Sequence, residues 1–310
     1  MTIEPEATTA TAPAAGSGWS GRAGGSGWSG RSGGSGRSGG SGGSGRSWSP
    51  PLGRAAQRRF ILELRAFVRV REELVFTFLL PVVLLALFGM IFGGEIQDTG
   101  VDVSQYFAAG MLASTGITVG LQSLSGQLAI EQTDGTLKRL AGTPMPKAAY
   151  MIGKIGLVTV VAAIQAVVMF AMGVVFFNVT LPDARGWFLA ISVLVLNLAI
   201  WTLLGLAFSR IISSPRAGGA VAVPPTLILQ FISGVYIPFD NIPTWLQNVA
   251  SVFPLRWAAL GLRQALLPDS FASAEPGGSW QTTTMYLVLG VWLVVAAGLA
   301  GLFFRWRVRE

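Results

Sequence analysis

The chain has no histidine and no cysteine in 310 residues. Haem ligation, Cys/His zinc sites, Ser-His or Cys-His nucleophiles and a disulfide framework are thereby excluded. Charge is also scarce. Asp, Glu, Lys and Arg make up 12% of the chain, against roughly 25% in a soluble domain. No G-x-x-x-x-G-K-[ST] loop occurs, so the chain carries no P-loop ATPase of its own. What it has in abundance is apolar: 51% hydrophobic residues and a mean hydropathy of +0.57. These values point to a membrane protein.

Residues 1–53 stand apart. From Gly16 to Ser49 the chain repeats Gly, Ser and Arg, a composition that cannot bury enough apolar surface to offset its ordering entropy. This head is expected to be a disordered cytoplasmic tail, either a solvated low-complexity segment or an Arg-dotted tether. Beyond it lie six apolar stretches, roughly 74–94, 107–130, 150–177, 187–209, 216–236 and 283–304. Each is long enough to cross about 30 Å of hydrocarbon as a helix. Pro81 and Pro224-Pro225 fall within the first and fifth, where proline marks a kink.

Six crossings divide the connecting segments into two sets. One set, with Lys154 just inside the third span, holds 19 of the 22 basic residues and a net charge of +11. The other holds only Arg185, Arg256 and Arg263 and a net charge of −4. This asymmetry predicts both termini in the cytoplasm. It also explains the pI near 10.5 without a nucleic-acid partner. The apolar interiors of the spans contain no ionisable residue, which argues against an ion-coupled transporter.

Four segments carry more specific information. In residues 55–73, Phe60, Ile61, Leu64, Phe67 and Val68 recur at helical spacing among Arg58, Arg59, Glu63, Arg65 and Arg69. This pattern predicts a basic amphipathic helix in the membrane interface. The loop Glu131-Gln-Thr-Asp-Gly-Thr-Leu-Lys-Arg-Leu-Ala-Gly-Thr-Pro predicts a short helix ended by Gly142 and Pro144. Asp134 and Lys138 form an i,i+4 pair in it, and Leu137 and Leu140 a small apolar ridge. Spacing alone leaves open whether this helix docks on a soluble partner or merely sets topology.

Segment 237–282 is long for a loop. Its core, 242–267, holds two short helical patterns with Pro243 and Pro254 at their starts. Each is too short to span, which suits a re-entrant hairpin. A seventh span there would put Arg256 near the bilayer centre. Trp245 and Trp257 are expected as interface anchors. Finally, the second stretch is rich in small residues, with Gly116 and Gly120 in a GxxxG. It predicts close helix packing inside the bundle, or a subunit interface or pathway wall lined by Ser114, Thr115, Gly116, Gly120, Gln122 and Ser123.

These segments together resemble the ABC-2 type permease family, the membrane subunits of one class of ATP-binding-cassette exporters. The loop from Glu131, followed by Tyr150-Met-Ile-Gly-Lys154, is similar to that family's first cytoplasmic loop. Phe231-Ile-Ser-Gly-Val-Tyr-Ile-Pro-Phe, Ile242-Pro-Thr-Trp-Leu-Gln, Phe253-Pro-Leu and Leu262-Arg263 are similar to its segment after the fifth span. The resemblance covers about residues 55–310 and leaves the Gly/Ser/Arg head outside it.

The resemblance implies an all-α membrane domain over 54–310. It would have six transmembrane helices, an N-terminal amphipathic helix and an external re-entrant hairpin before the last span. Glu131, Asp134, Gly135, Leu137, Lys138 and Leu140 would couple the chain to a separate ATPase subunit that holds ATP and Mg, and no cofactor would sit on this chain. Pro243, Trp245, Pro254 and Arg263 would belong to the hairpin. Two permease chains and two ATPase chains would form the unit in the plasma membrane, exporting an amphipathic drug-like or lipid-like molecule. The alternative from another class is a non-transporting membrane scaffold that recruits a cytoplasmic partner.

Overall fold

The apolar runs become helices, and the breaks between them carry the Gly, Pro, Asn and Asp residues that end helices. A computed structural model describes residues 51–96, 99–143, 145–212 and 217–303; the side chains of Glu73, Lys138, Ala141, 217–220 and Phe303 lie outside it. The expected tail over 1–53 lies outside the described residues as far as residue 50, and helix begins at Leu52, inside its expected bounds; Pro144, Arg216 and the basic C-terminus lie outside the described residues, as does any Asp134–Lys138 pairing.

Eleven α-helices make up the described chain. They are α1 (Leu52–Arg69), α2 (Arg71–Ile91), α3 (Val103–Gly116), α4 (Leu124–Thr133), α5 (Thr136–Ala141), α6 (Lys147–Phe177), α7 (Ala184–Phe208), α8 (Ala217–Ile232), α9 (Thr244–Ala250), α10 (Pro254–Leu266) and α11 (Thr282–Phe303). A π-helical stretch, Ile117–Ser123, joins α3 to α4 without a break, so Val103–Thr133 forms one long rod. Five helical segments are long and apolar enough to cross a membrane: Leu74–Ile91, Val103–Thr133, Lys147–Phe177, Ala184–Phe208 and Thr282–Leu302. The expected fifth span is shorter than the sequence suggested. α8 stops at Ile232 after 16 described residues, with Pro224 and Pro225 inside it.

The helix ends follow local chemistry. Asp183 caps α7, its Oδ1 accepting from the Gly186 N–H at 2.7 Å. Asn178 closes α6 in the left-handed conformation. Pro254 sits at the start of α10, where its missing N–H costs nothing, whereas Pro243 precedes α9 as its cap residue. The 242–267 segment is thus two separate helices, as its prolines predicted.

The bundle is built around the small-residue rod. In α3 the residues from Tyr106 to Gly116 are all buried. Large apolar residues face outward instead: Met90 on α2, Val167 on α6, Phe188 on α7 and Val294 on α11 are each more than two-thirds exposed. Hydrocarbon solvates such side chains, so the bundle is held by close packing rather than by apolar burial from water. Gly116 and Gly120 are consumed in that packing. A Cβ on Gly116 would meet the Asn197 amide at 2.5 Å, and one on Gly120 the Thr202 backbone at 2.7 Å. From the other side, a Cβ on Gly205 would lie 2.0 Å from the Gly120 carbonyl oxygen. The intrachain reading of the GxxxG accounts for both glycines.

α10 lies inside this bundle, against α3, α7 and α11. All its residues except Gln264 are buried, including Trp257, whose indole N–H donates to the Ser251 carbonyl at 2.7 Å. Trp257 therefore fixes the α9–α10 turn and is not an interface anchor; Trp245, 65% exposed, is free to be one.

Candidate functional site

The bundle has two chemically distinct ends. One holds α5 with the ends of α4 and α6 nearest to it; the other holds α9 and α10. Each end contains a buried ionic cluster.

At the α5 end, α1 crosses α6 where two glycines remove the side chains between them. A Cβ on Gly153 would meet the Arg59 Cγ at 2.6 Å, and one on Gly156 the Phe60 ring at 3.0 Å. The close crossing buries Glu63 of α1 beside Lys154 of α6, with a Nζ–Oε2 distance of 2.8 Å. Lys154 Nζ also lies 2.8 Å from Glu131 Oε1 and donates to Gln127 at 3.4 Å. Arg59 pairs with Glu63 and reaches Glu131 at 3.3 Å. Its guanidinium lies 4.9 Å from the centre of the Tyr150 ring, and the Tyr150 hydroxyl donates to Glu131 Oε2. Two acids, two bases and a tyrosine from α1, α4 and α6 thus share one site. Lys154 is 1% exposed and Glu63 6%, so neither charge is tolerable without the other.

The short helix expected in this loop is present over Thr136–Ala141. α4 runs through Glu131 to Thr133, the chain turns at Asp134 and Gly135 (φ +77°), and α5 follows. The Asp134 carboxylate accepts from the Thr136 N–H at 2.8 Å, and this bond holds its pKa below the ordinary value. Leu137 and Leu140 are half-buried and pack against the cluster of Phe67, Leu128, Tyr150 and Leu157. The apolar ridge therefore faces the bundle. Among the described side chains, Arg139 of α5 and the flanking Asp134, Gly142 and Thr143 are exposed. Glu131 belongs to the ionic cluster, with its side chain 16% exposed.

α1 also refines its expected amphipathic pattern. Ala55, Ala56, Glu63 and Phe67 are its buried residues. Ile61 and Val68, 37% and 54% exposed, extend the apolar arc beyond the packed face. That arrangement suits a helix lying in a membrane interface.

At the other end, Arg256 and Arg263 of α10 both bind Glu275, which follows a 3₁₀ turn at Asp269–Ala274. Arg256 Nη2 donates to Oε2 at 2.7 Å and Arg263 Nε to Oε1 at 2.6 Å. Arg263 also donates to the Gly234 carbonyl just past α8, at 3.2 Å. Rings cover both guanidiniums: Phe239 over Arg256 with 3.8 Å to the centroid, and Tyr106 over Arg263 with 4.6 Å. The Tyr106 hydroxyl accepts from the Phe239 N–H at 3.0 Å. Burial by itself would raise the Glu275 pKa, but the two guanidiniums overcome it and hold the carboxyl below its ordinary range. The cluster ties α3, α8, α10 and the loop before α11 together. A cavity of about 230 Å³ adjoins it, and a second of about 380 Å³ shares Val103, Pro238 and Asn241 with the first.

Of the other expected residues, Ser114 and Thr115 are buried, and Gln122 is half-buried. Neither cavity is lined by any of the six residues of that set. The sequence reading missed Glu63, Lys154 and Glu275 as partners. The i,i+4 spacings Arg59/Glu63 and Tyr150/Lys154 were a local signal for the first cluster. Glu275, 12 residues from Arg263 in an irregular loop, offered none.

The model of the ABC-2 type transporter family matches residues 57–267, which contain both clusters except Glu275. The chain is 26% identical over 170 residues to the "Probable multidrug ABC transporter permease YbhR" of Escherichia coli K12, covering 54% of this chain and 45% of that protein. It is 25% identical over 214 residues to the "Putative transport permease ycf38" of Cyanophora paradoxa, covering 67% of this chain and 73% of that one. The chain thus spans just under half the length of the first of these relatives. Its apolar helices make it a multi-pass membrane protein, and by the match over most of its length the chain belongs to the ABC-2 type transporter family.

Proposed function

We propose that this chain is the membrane permease subunit of an ATP-driven exporter that moves an amphipathic, drug-like or lipid-like molecule outward across the plasma membrane. The observation that carries the reading is the α5 end: a short helix with exposed Asp134 and Arg139, anchored inward by Leu137 and Leu140. Glu131, one turn before it, is bound into a buried cluster with α1 and α6. A partner ATPase pressing on α5 would move a rigid unit, because breaking the cluster costs several kcal/mol. ATP and Mg would belong to that partner, and two permease chains would work with two ATPase chains.

In this reading α8 makes the sixth crossing. Its 16 described residues give about 24 Å of helix, a short span that a locally thinned bilayer accommodates. Both termini would then be cytoplasmic, in keeping with the 19-to-3 division of basic residues. The α9–α10 pair would dip into the membrane from outside, with its charges satisfied by Glu275.

The experiment is co-purification with the ATPase from the neighbouring reading frame, followed by hydrolysis and export assays in proteoliposomes. Association with cargo-stimulated hydrolysis is expected. Association without any movement of cargo would favour the scaffold reading instead.

A further inference from the structure

The two cavities at the α9–α10 end are neighbours. Val103, Pro238 and Asn241 line both. The larger, about 380 Å³, is walled by Phe92, Phe107, Tyr236 and Ile237. It is open at Ile91 and Phe92, which are 61% and 48% exposed. Its walls continue into a ring cluster: Phe88 lies 5.5 Å from Phe107 and 5.6 Å from Tyr236, centroid to centroid. The smaller, about 230 Å³, adds Tyr106, Phe239, Asp240 and Glu275. One compartment is aromatic and the other contains Asp240 and Glu275, the charged residues among the described residues that line either cavity.

We infer that the adjoining cavities form one bipartite cargo site for a ring-bearing organic cation, with its apolar body in the larger compartment and its charge against Asp240. The inference rests on the transport reading above and names its cargo class. Asp240, not Glu275, is the available counter-charge. Each Glu275 oxygen already receives a guanidinium bond, whereas Asp240 has no ion pair among the described residues. Burial, and then the Glu275 charge, push the Asp240 carboxyl above its ordinary pKa. Arg256 and Arg263 act more weakly in the opposite sense, and Asp240 is exposed, so its carboxylate is accessible to a bound cation at the wall of the smaller cavity.

The two arginines do not give the site the opposite sign. Neither lines a cavity. Phe239 and Tyr106, which do line the smaller one, stack on the guanidiniums. Arg256 Nη1 and Arg263 Nη2 are buried without a hydrogen-bond partner. Aromatic walls with one carboxylate suit a lipophilic onium ion, which rings and acids attract and which pays little desolvation.

The matched probes are tetraphenylphosphonium and tetraphenylborate, equal in shape and opposite in charge. Binding to the full chain is measured in a non-ionic maltoside, with partition into empty micelles subtracted and without ATPase or ATP. Failure here therefore leaves the transport reading standing, and loss of ATPase coupling leaves this one standing. The wild type is expected to prefer the phosphonium. Asp240→Asn should weaken phosphonium binding about tenfold, the effect of removing one charge a few Å away at an effective dielectric of about 20 with partial screening. Borate binding should not weaken. Asn241→Asp adds a carboxylate to the wall shared by both cavities and should strengthen phosphonium binding several-fold. Phe92→Ala should weaken both probes. Preference for the borate would assign the site's sign to the arginines and overturn the proposal. So would phosphonium binding unchanged in both the Asp240 and Asn241 variants.

Discussion

Replacing Lys154 by Met leaves Glu63 and Glu131 to share a single guanidinium, that of Arg59. In the wild type, Lys154 Nζ lies 2.8 Å from both acids, and the three side chains are 2%, 6% and 16% exposed. Removing one member of a buried pair costs about 3–5 kcal/mol, most of it from the charge left behind. The partial exposure of Glu131 lets water relieve part of this, so the lower end, about 3 kcal/mol, applies. At about 2–4 °C per kcal/mol the melting temperature falls by roughly 6–12 °C. The double variant Glu63→Gln, Lys154→Met removes one charge of each sign. It should lose only about 1–2 kcal/mol, the value of hydrogen bonds to charged groups. The double variant is therefore more stable than the single one, a sign that additive damage cannot produce. Intrinsic fluorescence of the ten tryptophans reports unfolding in detergent. A single variant melting within about 2 °C of wild type, or a double variant melting below it, would refute the buried-cluster reasoning.

Other expectations follow from the same structure. Leu137→Ala with Leu140→Ala should uncouple ATP hydrolysis from export while ATPase co-purification persists, because the ridge packs inward. Charge reversal at Asp134 and Arg139 should instead weaken co-purification in a salt-dependent way. Gly205→Ala should lower the melting temperature through overpacking on Gly120, by about 1–3 kcal/mol. Gly290→Ala, with nothing within 4 Å of the new methyl, should be neutral or stabilising. The folded-state pKa of Glu275 lies below its unfolded value, so its contribution is complete above about pH 4.3 and is lost as pH falls through the folded value. Acid unfolding curves of wild type and Glu275→Gln should converge at low pH. Cysteines placed at Leu181 and Ser273 should be labelled from outside intact cells, and cysteines at Gln57 and Arg139 should not.

Much of this architecture was legible because a bilayer writes its demands into local sequence. Long apolar runs gave all five spanning segments to within four residues, and the small-residue second stretch correctly foretold a tightly packed rod. Pro243 and Pro254 announced two short helices where one long helix was the alternative. Directions were not legible. The i,i+3 ridge of Leu137 and Leu140 is the same string whether it faces a partner or its own bundle. Only the position of α5 against α1 and α6 turned it inward. Trp257 reads as an interface tryptophan until α10 is seen buried between three helices. Ion pairs that join Glu63 to Lys154, 91 residues away, or Arg263 to a loop glutamate, are set by topology and have no periodic signature.

The rod Val103–Thr133 is the element that meets both clusters. Tyr106, in its first turn, lies over Arg263, and Glu131, in its last, pairs with Lys154. The 25 residues between them amount to about 37 Å of helix, the thickness of a membrane. Both ends are therefore fixed by buried charge, where small displacements are costly. The middle is different. There the helix widens into the π-helical stretch Ile117–Ser123, and Gly205 of α7 presses on the Gly120 carbonyl. Thr118 in that stretch donates to Ser114 and accepts from Gln230 of α8, which also accepts from Tyr236 beside the larger cavity. π-helical turns are rare, occur mostly as bulges inside α-helices and are frequent at functional sites. A displacement imposed at α5 would thus pass along α4 as a rigid body and be absorbed at Ile117–Ser123, where α8 and the aromatic cavity are attached. Stiffening that stretch by deleting Thr118, which restores the α-helical count, should preserve both ionic clusters and the melting temperature to within about 1–2 kcal/mol. ATPase association should persist while cargo-stimulated hydrolysis is lost. Full stimulation in the deletion variant would show that the central stretch carries no motion between the ends.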